Sequence, residues 1–128
     1  MIDKQLTQNF SIDEFKCHDG TSVPWDLLDN VKKLAKNLQV LRDELGVPVR
    51  IISGYRNPTY NAKIGGAKRS LHMKALAGDI KVKGHTPAEV HSKVLELIAS
   101  GRMEQGGVGV YRTFVHYDCR GTKARWKG

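Results

Sequence analysis

Two short stretches of this 128-residue chain place histidine and carboxylate where they could share one ion. His72 and Asp79 lie seven residues apart in Ser70-Leu71-His72-Met73-Lys74-Ala75-Leu76-Ala77-Gly78-Asp79, and a turn between them can bring both to one point. His116 and Asp118 lie two apart in a strand-like run, and residues two apart on a strand face the same way. Two neutral imidazoles and one carboxylate make a three-ligand set of the catalytic zinc kind, which leaves a fourth position for water. Calcium and magnesium prefer all-oxygen shells, and structural zinc sites are usually closed by thiolates. The same residues can also be satisfied polar groups of a core or surface, and spacing alone leaves both readings open.

The elements that must position these residues follow from periodicity and punctuation. Ser11-Ile12-Asp13-Glu14 is a capping-box pattern, so a short helical turn is expected over 11–16 as an N-terminal strap. Pro24 opens a helix to Leu45, with Leu27, Leu28, Val31, Leu34, Ala35, Leu38, Leu41 and Leu45 on one stripe and Gly46 as its stop. The β-branched run Val47 to Ile52 predicts a strand leading into Ser53-Gly54, and the segment between Asn57-Pro58 and Gly65-Gly66 predicts a loop with at most a short helix. Ala77 to Lys83 alternates as a strand, and Thr86-Pro87-Ala88-Glu89 begins a helix that ends at Gly101. Gly106 to Tyr111 and Phe114 to Cys119 read as a hairpin across Arg112-Thr113. The order of elements predicts a single α+β domain over residues 1–128, a small antiparallel sheet packed against helices.

Composition narrows the partners. With 40% hydrophobic and 27% charged residues the chain is neither disordered nor of low complexity. Its net charge of +8 attracts polyanions such as nucleic acid, anionic membranes or wall polymers, although the basic residues are dispersed except for a denser tail from Arg120 to Lys127. No nucleic-acid recognition motif is present, so a nucleic-acid partner is not expected. No apolar run is long enough to insert in a membrane, and the opening residues lack a secretory pattern, so the chain is expected to be cytoplasmic when synthesised. Cys17 and Cys119 are expected to be reduced thiols. His18, His85 and His91 read as solvated, and Trp25 and Trp126 as packing at the core or its edge.

Three segments, SGYRNPTYN at 53–61, SLHMKALAGDI at 70–80 and FVHYDCRG at 114–121, resemble the zinc D-alanyl-D-alanine carboxypeptidase and endopeptidase family. That family includes phage endolysins and shares its fold with hedgehog signalling domains. Its S-x-H-x-x-G-x-A-x-D motif is met at Ser70, His72, Ala77 and Asp79, its later His-x-Asp at His116 and Asp118, and the resemblance runs from the strap to Trp126.

The resemblance implies Zn2+ held by His72, Asp79 and His116, with water as nucleophile toward a peptide carbonyl of peptidoglycan or its stem peptides. It implies a monomer that meets the wall after release or export. Arg56 matches the family's Ser-Gly-Tyr-Arg and suits a peptide carboxylate, or else a structural ion pair. Ser70 either binds substrate or caps the turn that presents His72. Two departures stand out. Where relatives carry a glutamate or histidine two or three residues before the last zinc histidine, this chain has Thr113 and Phe114. Asp118 is then the first candidate for the base, or else the partner that orients an imidazole; Glu104 is the poorer alternative. Ala75 replaces a motif glycine, which removes tolerance of positive φ from the turn. The missing base leaves a second expectation open, a catalytically silent zinc-bearing module that binds cell wall.

Overall fold

Periodicity and caps set the helices where the sequence places them. The computed structural model describes residues 4–128. A 3-10 turn over Trp25–Leu27 runs into helix α1, Leu28–Leu45, which Gly46 ends in the left-handed conformation. Its inner stripe of Val31, Leu34, Ala35, Leu38 and Leu41 is fully buried. Between Asn57 and Gly65 lies a six-residue helix, α2, Pro58–Lys63, whose Asn57 cap accepts a hydrogen bond from the Tyr60 amide. Helix α3, Pro87–Ala99, starts with a reciprocal cap in which the Thr86 hydroxyl accepts from the Glu89 amide and the Glu89 carboxylate from the Thr86 amide. Val90, Val94, Leu97 and Ile98 form its buried face.

Five strands form one sheet: β1 Val49–Ser53, β2 Ala77–Val82, β3 Gly107–Val110, β4 Val115–Asp118 and β5 Ala124–Lys127, in the order β1-β2-β4-β3-β5. All neighbours are antiparallel except β3 and β5. The fold is α+β, as expected, but β5 was not. Residues 120–127 read as a basic tail because the alternation in Ala124-Arg125-Trp126-Lys127 spans only four residues of a run dense in Arg and Lys.

Alternation divides the sheet into two faces. Ile80, Val82, Val108, Val115 and Tyr117 are buried with the helices in one continuous core. A Cβ on Gly78 would stand 3.6 Å from Leu38 and 3.8 Å from Leu34, so α1 lies against this side. Asp79, His116, Asp118 and Trp126 therefore project from the other side. A bulge between Ile51 and Ser53 brings Ser53 opposite Asp79, re-aiming the end of β1 toward the same face.

The N-terminal strap forms as a 3-10 turn, Ile12–Phe15, with the Glu14 carboxylate accepting from the Ser11 amide at 2.7 Å. Phe10 and Phe15 pack ring to ring at 6.1 Å inside the core. Phe15 also meets the chain after β1, where its carbonyl accepts from the Tyr55 amide at 2.7 Å. A Cβ on Gly54 would stand 2.8 Å from the Phe15 backbone, so only glycine permits that approach. Among the described residues, no helix is long and apolar enough to cross a membrane. Trp25, expected to pack, is 68% exposed because the turn that carries it rolls its indole outward.

Candidate metal centre and its cleft

His72 is aimed by both ends of its own turn. Ser70 precedes the 3-10 turn Leu71–Lys74, and its hydroxyl accepts from the His72 amide at 3.2 Å. That is a capping contact, and Ser70 also lines the cleft beside the centre. Ala75 ends the turn at φ 56°, the conformation for which the family motif has glycine, and among the described residues it is the one non-glycine with positive φ. Its buried methyl lies in the core, where it gains about 0.8 kcal/mol against the roughly 1–2 kcal/mol cost of the left-handed backbone. The turn keeps its shape, with the Ala75 amide bonded to the His72 carbonyl.

His72 Nδ1 lies 2.7 Å from the Gly54 carbonyl oxygen, which only accepts, so Nδ1 carries the proton and Nε2 offers its lone pair. The strap that presses on Gly54 thus also fixes a tautomer. Asp79 and His116 are directly paired residues of β2 and β4. Asp79 Oδ1 stands 3.3 Å from His72 Nε2 and 3.0 Å from His116 Nδ1. At the far side of its ring, His116 Nε2 donates to Asp118 Oδ2 at 2.7 Å, which frees Nδ1. The three ligand atoms lie within 4.8 Å of one another, and all three residues are buried.

This donor set fits a small divalent cation. Ligands about 2.0–2.1 Å from a tetrahedral zinc ion stand roughly 3.3 Å from each other, close to the two separations found here. Both imidazoles have their second nitrogen held by an acceptor, the usual support for a metal-bound histidine. Burial raises the Asp79 carboxyl, but its close contacts with the His116 and His72 rings outweigh it and hold the group well below the usual carboxylate range. Burial lowers His116, and the two carboxylates on either side of it more than reverse that. Positive charge is favoured at this point.

Asp118 is wholly buried. Its Oδ1 accepts from the Gly107 amide at 2.9 Å, from Arg120 Nε at 2.9 Å and from the Arg120 amide at 3.2 Å; its Oδ2 accepts from Arg120 Nη2 at 2.8 Å and from His116. Burial raises its pKa, but the Arg120 guanidinium and these other donors keep it ionised far below the ordinary range. Arg56 stands at the other oxygen of Asp79, with Nη2 3.5 Å from Oδ2, and reaches Ser53 Oγ at 3.3 Å and Asn61 Oδ1 at 3.5 Å. Glu104 lies away from the centre, paired with Lys33 at 3.1 Å.

The centre opens into a cleft of about 740 Å³. One wall is aromatic: Trp126 lies 4.9 Å from the His116 ring and donates from Nε1 to the Tyr111 hydroxyl at 2.8 Å, and Tyr111 stacks on Phe114 at 4.4 Å. Gly109 sits between His116 and Trp126 in the sheet, where any Cβ would collide with the indole. Sequence reasoning missed Arg120 and this use of Trp126. The first was legible, because the alternation that joins His116 to Asp118 continues to Arg120; the second depends on β5.

His18 is exposed, as expected, and also places Nε2 2.7 Å from the Ile52 carbonyl and Nδ1 3.2 Å from the Tyr60 hydroxyl. Cys17 and Cys119 are free, buried thiols, and among the described residues neither joins a metal-ligating group.

The family model for Peptidase M15 matches residues 8–118. Over 86 residues the chain is 35% identical to the peptidoglycan L,D-endopeptidase MepK of Escherichia coli K12, and it matches MepK of Escherichia coli O157:H7 and of Shigella flexneri to the same degree. These alignments cover 62% of this chain and 43% of each relative, so the matched region is less than half the length of those proteins. With the ligand spacing, the paired strands and a match across most of its length, the chain belongs to the peptidase M15 family.

Proposed function

We propose that this protein is a zinc peptidase that hydrolyses peptide bonds in the stems or cross-links of bacterial peptidoglycan. The observation that carries the reading is the convergence of His72 Nε2, Asp79 Oδ1 and His116 Nδ1, with the opposite nitrogen of each imidazole occupied by Gly54 or Asp118. Zinc held there supplies Lewis acidity, lowering the pKa of a water and polarising a peptide carbonyl. Asp118 acts through His116 as a positioning residue. Supporting this choice, its two oxygens already accept five hydrogen bonds, which leaves no lone pair for a proton from water. Arg56 orients Asp79 by holding the oxygen that does not face the histidines, and its guanidinium also borders the cleft. The endopeptidase reading is favoured over the carboxypeptidase one because the MepK relatives bear that activity in their name. The acting species is a monomer, since every ligand and its support come from one chain, and the site of action is the wall, whose anionic polymers suit a charge of +8.

The test is digestion of purified peptidoglycan with and without chelator, followed by zinc addition, with the fragments identified by mass spectrometry. Chelator-sensitive release of muropeptides is expected, and release of free D-alanine alone would make the enzyme a carboxypeptidase. One observation favours a second reading, a silent wall-binding module: among the described residues the only carboxylates lining the cleft are Asp79 and Asp118, both engaged. Zinc bound at one per chain with no fragment released from several wall types would establish it.

A further inference from the structure

We propose that Arg69 is the anchor for a substrate carboxylate at the rim of the cleft; this deepens the peptidoglycan reading and rests on it. Three guanidiniums and two carboxylates line the cleft: Arg56, Arg69 and Arg120 against Asp79 and Asp118. Arg56 is turned to Asp79 and Arg120 grips Asp118 through two nitrogens, so each carboxylate already has its counter-charge. Of the three guanidiniums, Arg69 is the one that faces no carboxylate among the described residues. Among the described residues Arg69 makes no ion pair or side-chain hydrogen bond, and it is exposed. Its backbone, by contrast, is held. The Ser70 amide closes a turn onto the Ala67 carbonyl at 3.1 Å, and Ser70 in turn caps the segment that aims His72. A guanidinium with a fixed root and a free head, one residue from the cap of a ligand-bearing turn, is placed to grip an anionic group on a peptide whose scissile bond lies at the metal. A planar fork of donors binds carboxylate through two parallel hydrogen bonds. The occupant is thus a peptide carrying a free carboxylate near the bond that is cut.

The experiment compares the full-length, zinc-loaded protein with Arg69→Gln and Arg69→Lys on a synthetic stem tetrapeptide and on the same peptide with each carboxylate amidated in turn. Kd is read by titration where the peptide stays intact, and KM with kcat where it is cut. For the wild type, amidation at one position is expected to weaken binding about three- to tenfold, in line with a charged pair at a partly solvated rim. Arg69→Gln should bind the free acid as weakly as the wild type binds that amide, should show no further loss on amidation, and should keep kcat and zinc content; Arg69→Lys should recover part of the difference. An amidation penalty that persists in Arg69→Gln, or wild-type affinity in that variant, overturns the proposal. Peptidoglycan digestion by the wild type is scored separately: binding that depends on Arg69 without digestion retires the peptidase reading alone, and digestion indifferent to Arg69 retires the anchor alone.

Discussion

Replacing Asp118 by asparagine separates two jobs for one carboxylate. The substitution keeps shape and changes chemistry at Oδ2, which accepts from His116 Nε2 at 2.7 Å and from Arg120 Nη2 at 2.8 Å. An amide oxygen left at Oδ1 still serves the Gly107 amide and Arg120 Nε, but an NH2 at the other position faces two donors. The imidazole answers by accepting at Nε2 and carrying its proton on Nδ1, the atom that faces Asp79. The nitrogen needed by the metal is then blocked. Loss of such a supporting partner costs about 10- to 100-fold in metal affinity, or roughly 1.4–2.7 kcal/mol. Breaking a buried pair by removing one member costs about 3–5 kcal/mol, and the one-third exposure of the Arg120 side chain lets water recover part of that, so a loss of about 2–3 kcal/mol of folding stability is expected. Competition with a chromophoric chelator reads the first quantity and urea unfolding of the metal-free protein reads the second. If Asp118→Asn binds zinc as tightly as the wild type and yet hydrolyses nothing, the positioning argument is wrong and Asp118 takes the proton from water itself.

Other outcomes follow from neighbouring features. Gly109→Ala should displace Trp126, shifting tryptophan fluorescence and lowering stability by about 1–3 kcal/mol, because a Cβ there collides with the indole; an unchanged spectrum and midpoint would show that the wall is loosely held. Burial pushes the Cys119 thiol up to about 12 and Cys17 is equally enclosed, so Ellman's reagent should find neither in the native protein and both in urea; rapid native labelling would contradict the packing. Asp79 and Asp118 are depressed on folding, so the unfolded chain binds more protons in acid. Their stabilisation is complete above the unfolded carboxyl value near 4 and fades as pH falls below it, and a flat metal-free stability curve from pH 5 to pH 2 would argue against those contacts.

Residue type and spacing told a good deal here, and the reasons differ by element. The stripe from Val31 to Leu41 and the Thr86 cap are local signals, and both helices stand where those signals end. The pairing of β2 with β4 was not legible, because it joins residues 37 positions apart, and only that pairing makes Asp79 and His116 neighbours. Which nitrogen of each histidine faces the centre depends on the Gly54 carbonyl and the Asp118 carboxylate, and neither contact has a signature in sequence. The strand β5 escaped because its lone aromatic, Trp126, sits among Ala124, Arg125 and Lys127, and its place beside β3 is a matter of tertiary fit.

The direct opposition of Asp79 and His116 has a consequence for how this protein can change over time. Two of the three converging side chains inherit their separation from the hydrogen-bond ladder, whose spacing is nearly the same in every antiparallel sheet. Core residues behind the sheet can drift in size and shape while the ladder holds, and the centre feels little of it. A one-residue slip, in contrast, would turn His116 to the side of the helices and abolish the centre at a stroke. Variation here is better tolerated in volume than in register, so away from close approaches such as Gly54 and Gly109 a lineage can remodel the interior while the chemistry stays where it was.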